Sequence, residues 1–349
     1  QRHHLHRRLP GPAGKPPVRL RLLSLLLPCL LLTACAAPEE VETRPKQYQA
    51  TFLDVFDTVT TVMGYAESQE VFTETAEMAH DTTTMQTLLD ILRNASATEA
   101  NREALLHSDF VNMIFVMVAD FIANRDLVQL FLTAFEPFLE DALFAEAVVA
   151  DTTVVTEGSV PVIVDVMGRY TTVVSIQSAG IKVLRAVAQF IPSGIVELGA
   201  TVVCIRCIQL CISEEQIVLD GCCTLLSMVT DPEEKTAVAS RQAIVANGGL
   251  EPLYITLQRY PKNAEIVSVV LRALTCLADG SSDVNRMVSA TYLRTLMLVY
   301  SNFSNNSEVT TLFVKLICSL SAFDSCKSAI IQSGIVAKIV NSTEMFPEA

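Results

Sequence analysis

The chain has 349 residues, half of them hydrophobic and only 18% charged, with 38 acidic against 25 basic side chains for a net charge of −13. Apolar content this high and charge this low exclude disorder over most of the length. The acidic balance excludes a general nucleic-acid binder, which needs clustered Lys and Arg to displace counterions. There is no Trp, and the five histidines are His3, His4, His6, His80 and His107. Beyond residue 107 neither a Ser-His-Asp or Cys-His catalytic arrangement nor a His-ligated zinc site can form.

Residues 1–17 are basic and Pro-rich, begin without Met, and read as upstream sequence. From Arg19 and Arg21 the chain passes into an apolar run, Leu22 to Leu32, that ends Leu32-Thr33-Ala34-Cys35. The run is shorter than the ~20 residues a bilayer span needs, but has the basic start and apolar centre of a secretory signal. Its last four residues resemble a bacterial lipobox, which makes Cys35 a candidate lipidation site; the other reading is a Leu-rich stretch that imitates one. Residues 1–35 are taken as extension plus signal, and residues 36–47, acidic and Pro-containing, as a tether.

The stretch from Tyr48 to Asp81, with Phe52-Leu53-Asp54-Val55-Phe56-Asp57-Thr58-Val59-Thr60-Thr61-Val62-Met63-Gly64-Tyr65 at its centre, resembles the amino-terminal segment of FAD:protein FMN transferases, lipoproteins of Gram-positive bacteria. That resemblance implies an unstructured or strand-like segment over 36–83. The family's flavin- and magnesium-binding segments have no counterpart after residue 81, so no catalytic residue carries over. A membrane-anchored, catalytically incomplete relative of that family is the second functional reading.

The remainder is repetitive. Ile244-Val245-Ala246-Asn247-Gly248-Gly249-Leu250 returns 43 residues on as Met287-Val288-Ser289-Ala290-Thr291-Tyr292-Leu293, and 43 further as Ile330-Ile331-Gln332-Ser333-Gly334-Ile335-Val336. Looser copies begin at Leu105, Val154 and Ile195. Gly158, Gly248 and Gly334 hold one repeat position, where a residue of positive φ would close a short helix. Between copies lie amphipathic stretches, clearest in Ile266, Val269, Val270, Ala273, Leu274 and Leu277, with equivalents at 176–188, 217–229, 309–320 and 127–138. Residues 196–212 read as one core helix. No stretch alternates with a two-residue period between turn signals, so the body is expected to be all-α.

A helical repeat of ~40–47 residues is the pattern of the HEAT and armadillo classes. With Gly in the turn, in segments such as Arg241 to Gln258 and Cys326 to Val340, residues 84–345 resemble the armadillo family. The resemblance implies a right-handed α-solenoid over 84–349 with a concave groove, a partial repeat at 85–92 as its cap, and an uncapped edge at 344–349. The two resemblances meet at 81–84, pointing to a fused or misassembled gene. The body is then cytoplasmic on its own, and a membrane is reached only through a lipidated Cys35.

Armadillo grooves present an Asn, and often a Trp one turn earlier, from each third helix. By register the Asn positions become Ala186, Ser227, Cys276 and Ser319, so the peptide-backbone ladder is missing. The Trp positions become Lys182, Cys223, Arg272 and Lys315. A row of Lys182, Arg272 and Lys315 suggests a partner protein with an acidic or phosphorylated segment; the other reading is solvated helix residues with snorkelling stems. Cys204, Cys207 and Cys211 share one helical face and, with Cys222 and Cys223, fit core packing better than zinc or redox chemistry. The sequons at Asn94, Asn302, Asn305 and Asn341 matter only in a eukaryotic secretory route. The expected function is a non-enzymatic protein-binding scaffold without cofactor or metal.

Overall fold

The chain divides into two units, Gln1–Glu77 and Met78–Ala349. The computed structural model describes residues 118–119, 121–140, 159–280 and 284–343, with isolated positions between Thr82 and Arg102. The leader, Cys35, the flavin-transferase-like stretch, Gly158, the copy at Leu105 and residues 344–349 lie outside the described residues.

Among the described residues the structure is all-helical, with no strand. Helix α1 (Arg125–Phe135) runs into a 3-10 turn, Glu136–Glu140. Then follow α2 (Val160–Arg169), α3 (Val174–Ala188), α4 (Pro192–Glu197), α5 (Ala200–Leu210) and α6 (Glu215–Val229). Next come α7 (Glu234–Ala246), α8 (Leu250–Arg259), α9 (Ala264–Gly280) and a 3-10 turn at Val284–Val288. The last are α10 (Ala290–Asn302), α11 (Ser307–Ser321), α12 (Asp324–Gln332) and α13 (Ile335–Thr343). The expected third helices are thus α3, α6, α9 and α11, and α1 is the third helix of the group before them. The stretch expected as a helix over 127–138 is α1 only as far as Phe135, because Pro137 has no N–H to continue the ladder.

Where all three are described, the helices come in triads, a first, second and third helix each, and the second and third helices meet their counterparts in the next triad. Third helices pack in the series α1, α3, α6, α9, α11, and second helices in the series α2, α5, α8, α10. Their apolar stripes are fully buried, as with Ile176, Leu184 and Val187 of α3 and Ile266, Val270 and Leu274 of α9.

The turn from second to third helix is built the same way five times. A corner residue, Phe121, Tyr170, Cys211, Tyr260 or Phe303, accepts through its carbonyl from the N–H three residues on. Those bonds are Asn124 to Phe121 (2.7 Å), Val173 to Tyr170 (3.1 Å), Glu214 to Cys211 (2.9 Å), Asn263 to Tyr260 (3.1 Å) and Asn306 to Phe303 (2.9 Å). The bonding residue then caps the third helix. Asn124, Asn263 and Asn306 accept through Oδ1 from the N–H of Leu127, Ile266 and Val309, satisfying one donor of the first turn.

Neighbouring corners are also fastened to each other. The carbonyl just past a corner accepts from the next triad: Ile122 from Tyr170 Oη at 2.9 Å, Ile212 from Tyr260 Oη at 2.9 Å, and Pro261 from Asn302 Nδ2 at 2.8 Å. Asn263 Nδ2 adds a bond to Glu215 Oε1 at 2.7 Å. The equivalent carbonyl of Thr171 accepts no such bond among the described residues: the next corner is Cys211, preceded by Leu210, so neither a phenol nor a carboxamide like that of Asn302 stands there.

First and second helices meet at glycines of positive φ, Gly199 (84°), Gly248 (80°) and Gly334 (79°). Gly199 breaks the stretch 196–212, expected as one helix, into α4 and α5. Where Thr291 takes this position, α10 is instead capped by Ser289, whose Oγ accepts from the N–H of Tyr292 at 3.3 Å.

Second and third helices approach closely where a third helix carries Gly. A Cβ at Gly221 of α6 would lie 2.6 Å from Ile208 Cγ1 of α5, and one at Gly180 of α3 would lie 2.6 Å from Met167 Cγ of α2. The equivalent residues in the next triads are Val270 and Phe313, and the Phe313 ring sits 4.5 Å from that of Tyr300.

Candidate functional site

Each third helix buries one side against its second helix and turns the other to solvent. On that outer side lie Ser175, Ser178, Ala179, Lys182, Arg185 and Ala186 of α3, all partly or fully exposed. Their counterparts are Gln216, Cys223, Leu226 and Ser227 of α6, Glu265, Ser268, Val269, Arg272, Thr275 and Cys276 of α9, and Glu308, Thr311, Lys315, Cys318 and Ser319 of α11. Small and hydroxylated residues dominate, so the face is shallowly covered.

Lys182, Arg272 and Lys315 stand on the solvent side of their third helices, but they are not alike. Lys182 Nζ is bonded to Glu136 Oε1, in the 3-10 turn after α1, with both side chains partly exposed. Arg272 Nη2 meets Glu308 Oε1 of the next third helix at 3.0 Å. Lys315 has no ion pair or hydrogen bond among the described residues. The row is therefore no set of free anchors, because two of its three charges are neutralised across helix junctions.

A fourth cation was not singled out from sequence. Arg185 Nη1 is paired with Asp220 Oδ1 of α6, and Asp220 is buried at 2% exposure. Gln216 Nε2 donates to the same oxygen at 3.1 Å. Burial opposes the Arg185 charge, and the bond to Asp220 together with nearby acidic groups outweighs it, leaving its pKa above the ordinary value. Such pairs join residues far apart in sequence, and only the stacking register brings them together.

Between α1 and α3 the face holds a cleft of about 250 Å³, lined by Gln129, Thr133, Ser175 and Ser178 with the Lys182–Glu136 pair at one side. Its walls are hydroxyls and a carboxamide over Leu132 and Ala179.

Cys204, Cys207, Cys211 and Cys222 are buried in the packing of α5 and α6. Burial pushes the Cys204 and Cys222 thiols far above their usual range. The Cys207 thiol is pushed up first by its hydrogen bond to Cys211 and then by burial. Cys223 and Cys276 are half-covered and Cys318 is exposed, all three on third helices. Among the described residues no group of three or more His, Cys, Asp or Glu is placed to hold a metal ion. No described helix is long and apolar enough to cross a membrane. No family model, curated protein or solved structure matches the chain, so the role of the third-helix face is argued from its own residues.

Proposed function

We propose that residues 84–349 form a right-handed armadillo-type solenoid that works as a non-enzymatic scaffold, holding an extended segment of a partner protein along the third-helix face. The observation that supports this reading best is the unbroken series α1, α3, α6, α9, α11, whose outer residues are mostly too small to cover the strip. Stacked repeats of this kind contact only their neighbours and leave one long face open. Affinity would come from a few anchors along the strip. Of Lys182, Arg272 and Lys315, an acidic or phosphorylated group on the partner would find only Lys315 unengaged among the described residues; to use Lys182 or Arg272 it would have to displace Glu136 or Glu308. Ion pairs this exposed are worth about 1 kcal/mol or less, so such displacement is energetically open.

The test is a selection of peptides from a displayed library on the full chain. Binding of the selected peptides should be abolished by Ser227→Arg or Ser268→Arg, which fill the strip, and unchanged by Arg206→Ala on the outer side of α5. Peptides indifferent to both strip variants would overturn the reading.

A further inference from the structure

Asn247 and Gly248 form the only Asn-Gly pair in the sequence, and the fold places it at the turn between α7 and α8. The equivalent pairs at the other turns of this kind are Leu198-Gly199 and Ser333-Gly334. In an Asn-Gly pair the side-chain amide is open to attack by its own backbone, because glycine puts no Cβ beside the attacking nitrogen. The turn holds the reacting atoms in another arrangement. Asn247 ends α7 as its C-cap at φ −83° and ψ 9°, a helical backbone, whereas ring closure needs the Gly248 nitrogen turned toward the side-chain carbon. The Gly248 N–H donates to the Val245 carbonyl at 3.1 Å, and the Gly249 N–H to that of Ile244 at 2.8 Å. Asn247 Nδ2 donates to the Ala243 carbonyl at 2.7 Å. The turn is also tight, since a Cβ at Gly249 would lie 2.5 Å from Ile244 Cγ2. Asn247 itself is exposed, so water and hydroxide reach it once these bonds part.

We propose that Asn247 is a deamidation site that the folded α7/α8 turn keeps closed and that reacts when the turn opens. Hydroxide takes the Gly248 amide proton, the nitrogen forms a bond to Asn247 Cγ, and the Cγ–Nδ2 bond breaks with loss of ammonia. Water then adds to either carbonyl of the five-membered imide and reopens it. The product is an aspartyl residue or, with one more carbon in the backbone, an isoaspartyl residue, and nothing is oxidised or reduced. Neither product remakes the cap. A carboxylate has no N–H for the Ala243 carbonyl, and its charge stands at the negative end of the α7 dipole. The step is therefore a one-way record of turn opening. Among the described turns with a positive-φ glycine it is confined to this one: Leu198 has no amide, and Ser333 caps through Oγ, which donates to the Ile330 carbonyl at 2.6 Å. It needs no partner protein, so it stands apart from the scaffold reading.

The test follows the full chain at mildly alkaline pH, folded and in denaturing urea, with each Asn-containing peptide resolved by mass spectrometry and its isoaspartyl form separated. In urea Asn247 should react fastest of all the asparagines. In the folded chain it should react about tenfold more slowly or less, a factor set by how seldom the turn opens. Asn247→Asp should lower the folding equilibrium constant about two- to fivefold, as for one charge at the wrong end of a helix, and should speed hydrogen exchange at the Gly248 and Gly249 amides. Asn247→Ser, which copies Ser333, should keep both the urea midpoint and the slow exchange. Equal rates of reaction in the folded and unfolded chain would overturn the inference. So would another asparagine leading in urea, or an Asn247→Asp chain as stable and as slowly exchanging as the native one.

Discussion

Replacing Gly221 by Ala sets two known effects against each other. In an open helix position the change gains about 1 kcal/mol, because Gly is the poorer helix former and loses more entropy on folding. At Gly221 the new methyl would lie 2.6 Å from Ile208 Cγ1 and 3.1 Å from Ile208 Cδ1, and Ile208 is fully buried at 0% exposure. Cγ1 is the stem of a β-branched side chain and cannot swing aside without leaving its rotamer. Overpacking of this kind costs about 1–3 kcal/mol, so the net is a destabilisation of about 1–2 kcal/mol. Two other glycines act as controls. At Gly180 the clash is with Met167 Cγ and Sδ at 2.6 and 2.7 Å, an unbranched side chain that repacks readily, so Gly180→Ala should be near neutral. At Gly168 nothing lies within 4 Å, so Gly168→Ala should stabilise by about 1 kcal/mol. Urea unfolding followed by circular dichroism orders the three variants. In an Ile208→Ala background, where the methyl fills vacated space, Gly221→Ala should become favourable. If Gly221→Ala stabilises the native background as much as Gly168→Ala does, the close α5/α6 approach is wrong.

Other expectations concern charge, corners and thiols. Arg185→Met leaves Asp220 buried with only Gln216 as donor and should cost about 2–3 kcal/mol in urea unfolding, whereas Arg272→Met at an exposed pair should cost less than about 1 kcal/mol; equal costs would contradict the burial of Asp220. Tyr260→Phe removes the bond to the Ile212 carbonyl and should cost about 1 kcal/mol. By amide hydrogen exchange, the Val173 corner amide should exchange faster than those of Asn124, Glu214 and Asn263, whose corners are fastened to the next triad; uniform exchange would refute this. Burial raises the Cys204 and Cys222 thiols, so the folded state keeps protons that the unfolded chain sheds above pH ~8.5. Stability contributed by these groups is therefore full below that pH and falls as pH rises through it, by up to about 1.4 kcal/mol per unit for each thiol. The urea midpoint should drop between pH 8 and 10, less steeply in Cys204→Ala. A flat profile would place those thiols in water.

Much of the helical order can be read from spacing alone. The apolar residues of α3, α6, α9 and α11 recur at three and four, and each of these helices is found within two or three residues of its expected ends. Gly248 and Gly334 were legible because a positive φ selects glycine. Gly199 carries the same signal in the same repeat position, yet the apolar run around it reads as one helix. The corners were equally present in sequence, as a ring or Cys three residues before each third-helix cap. Their separations vary, 121 to 170 to 211 to 260 to 303, so a search at one fixed period passes over them. The ion pairs were not legible. Nothing near Lys182 in sequence indicates Glu136, and Asp220 reads as a polar residue in an apolar helix. Both follow from how one triad is set against the next, which depends on many small packing choices such as Gly180 and Gly221.

The Thr171 carbonyl marks a change in how the triads are joined. At the α3/α6 junction an ion pair with one buried member, Arg185 and Asp220, crosses between the third helices, while among the described residues no side-chain hydrogen bond crosses between the corners. At the α6/α9 junction the corners are tied twice, by Tyr260 and Asn263, and no ion pair joins the third helices among the described residues. The triad of α4, α5 and α6 is thus held to its two neighbours by different chemistry, a charge pair on one side and corner hydrogen bonds on the other, so a substitution that cuts one tie leaves the other in place.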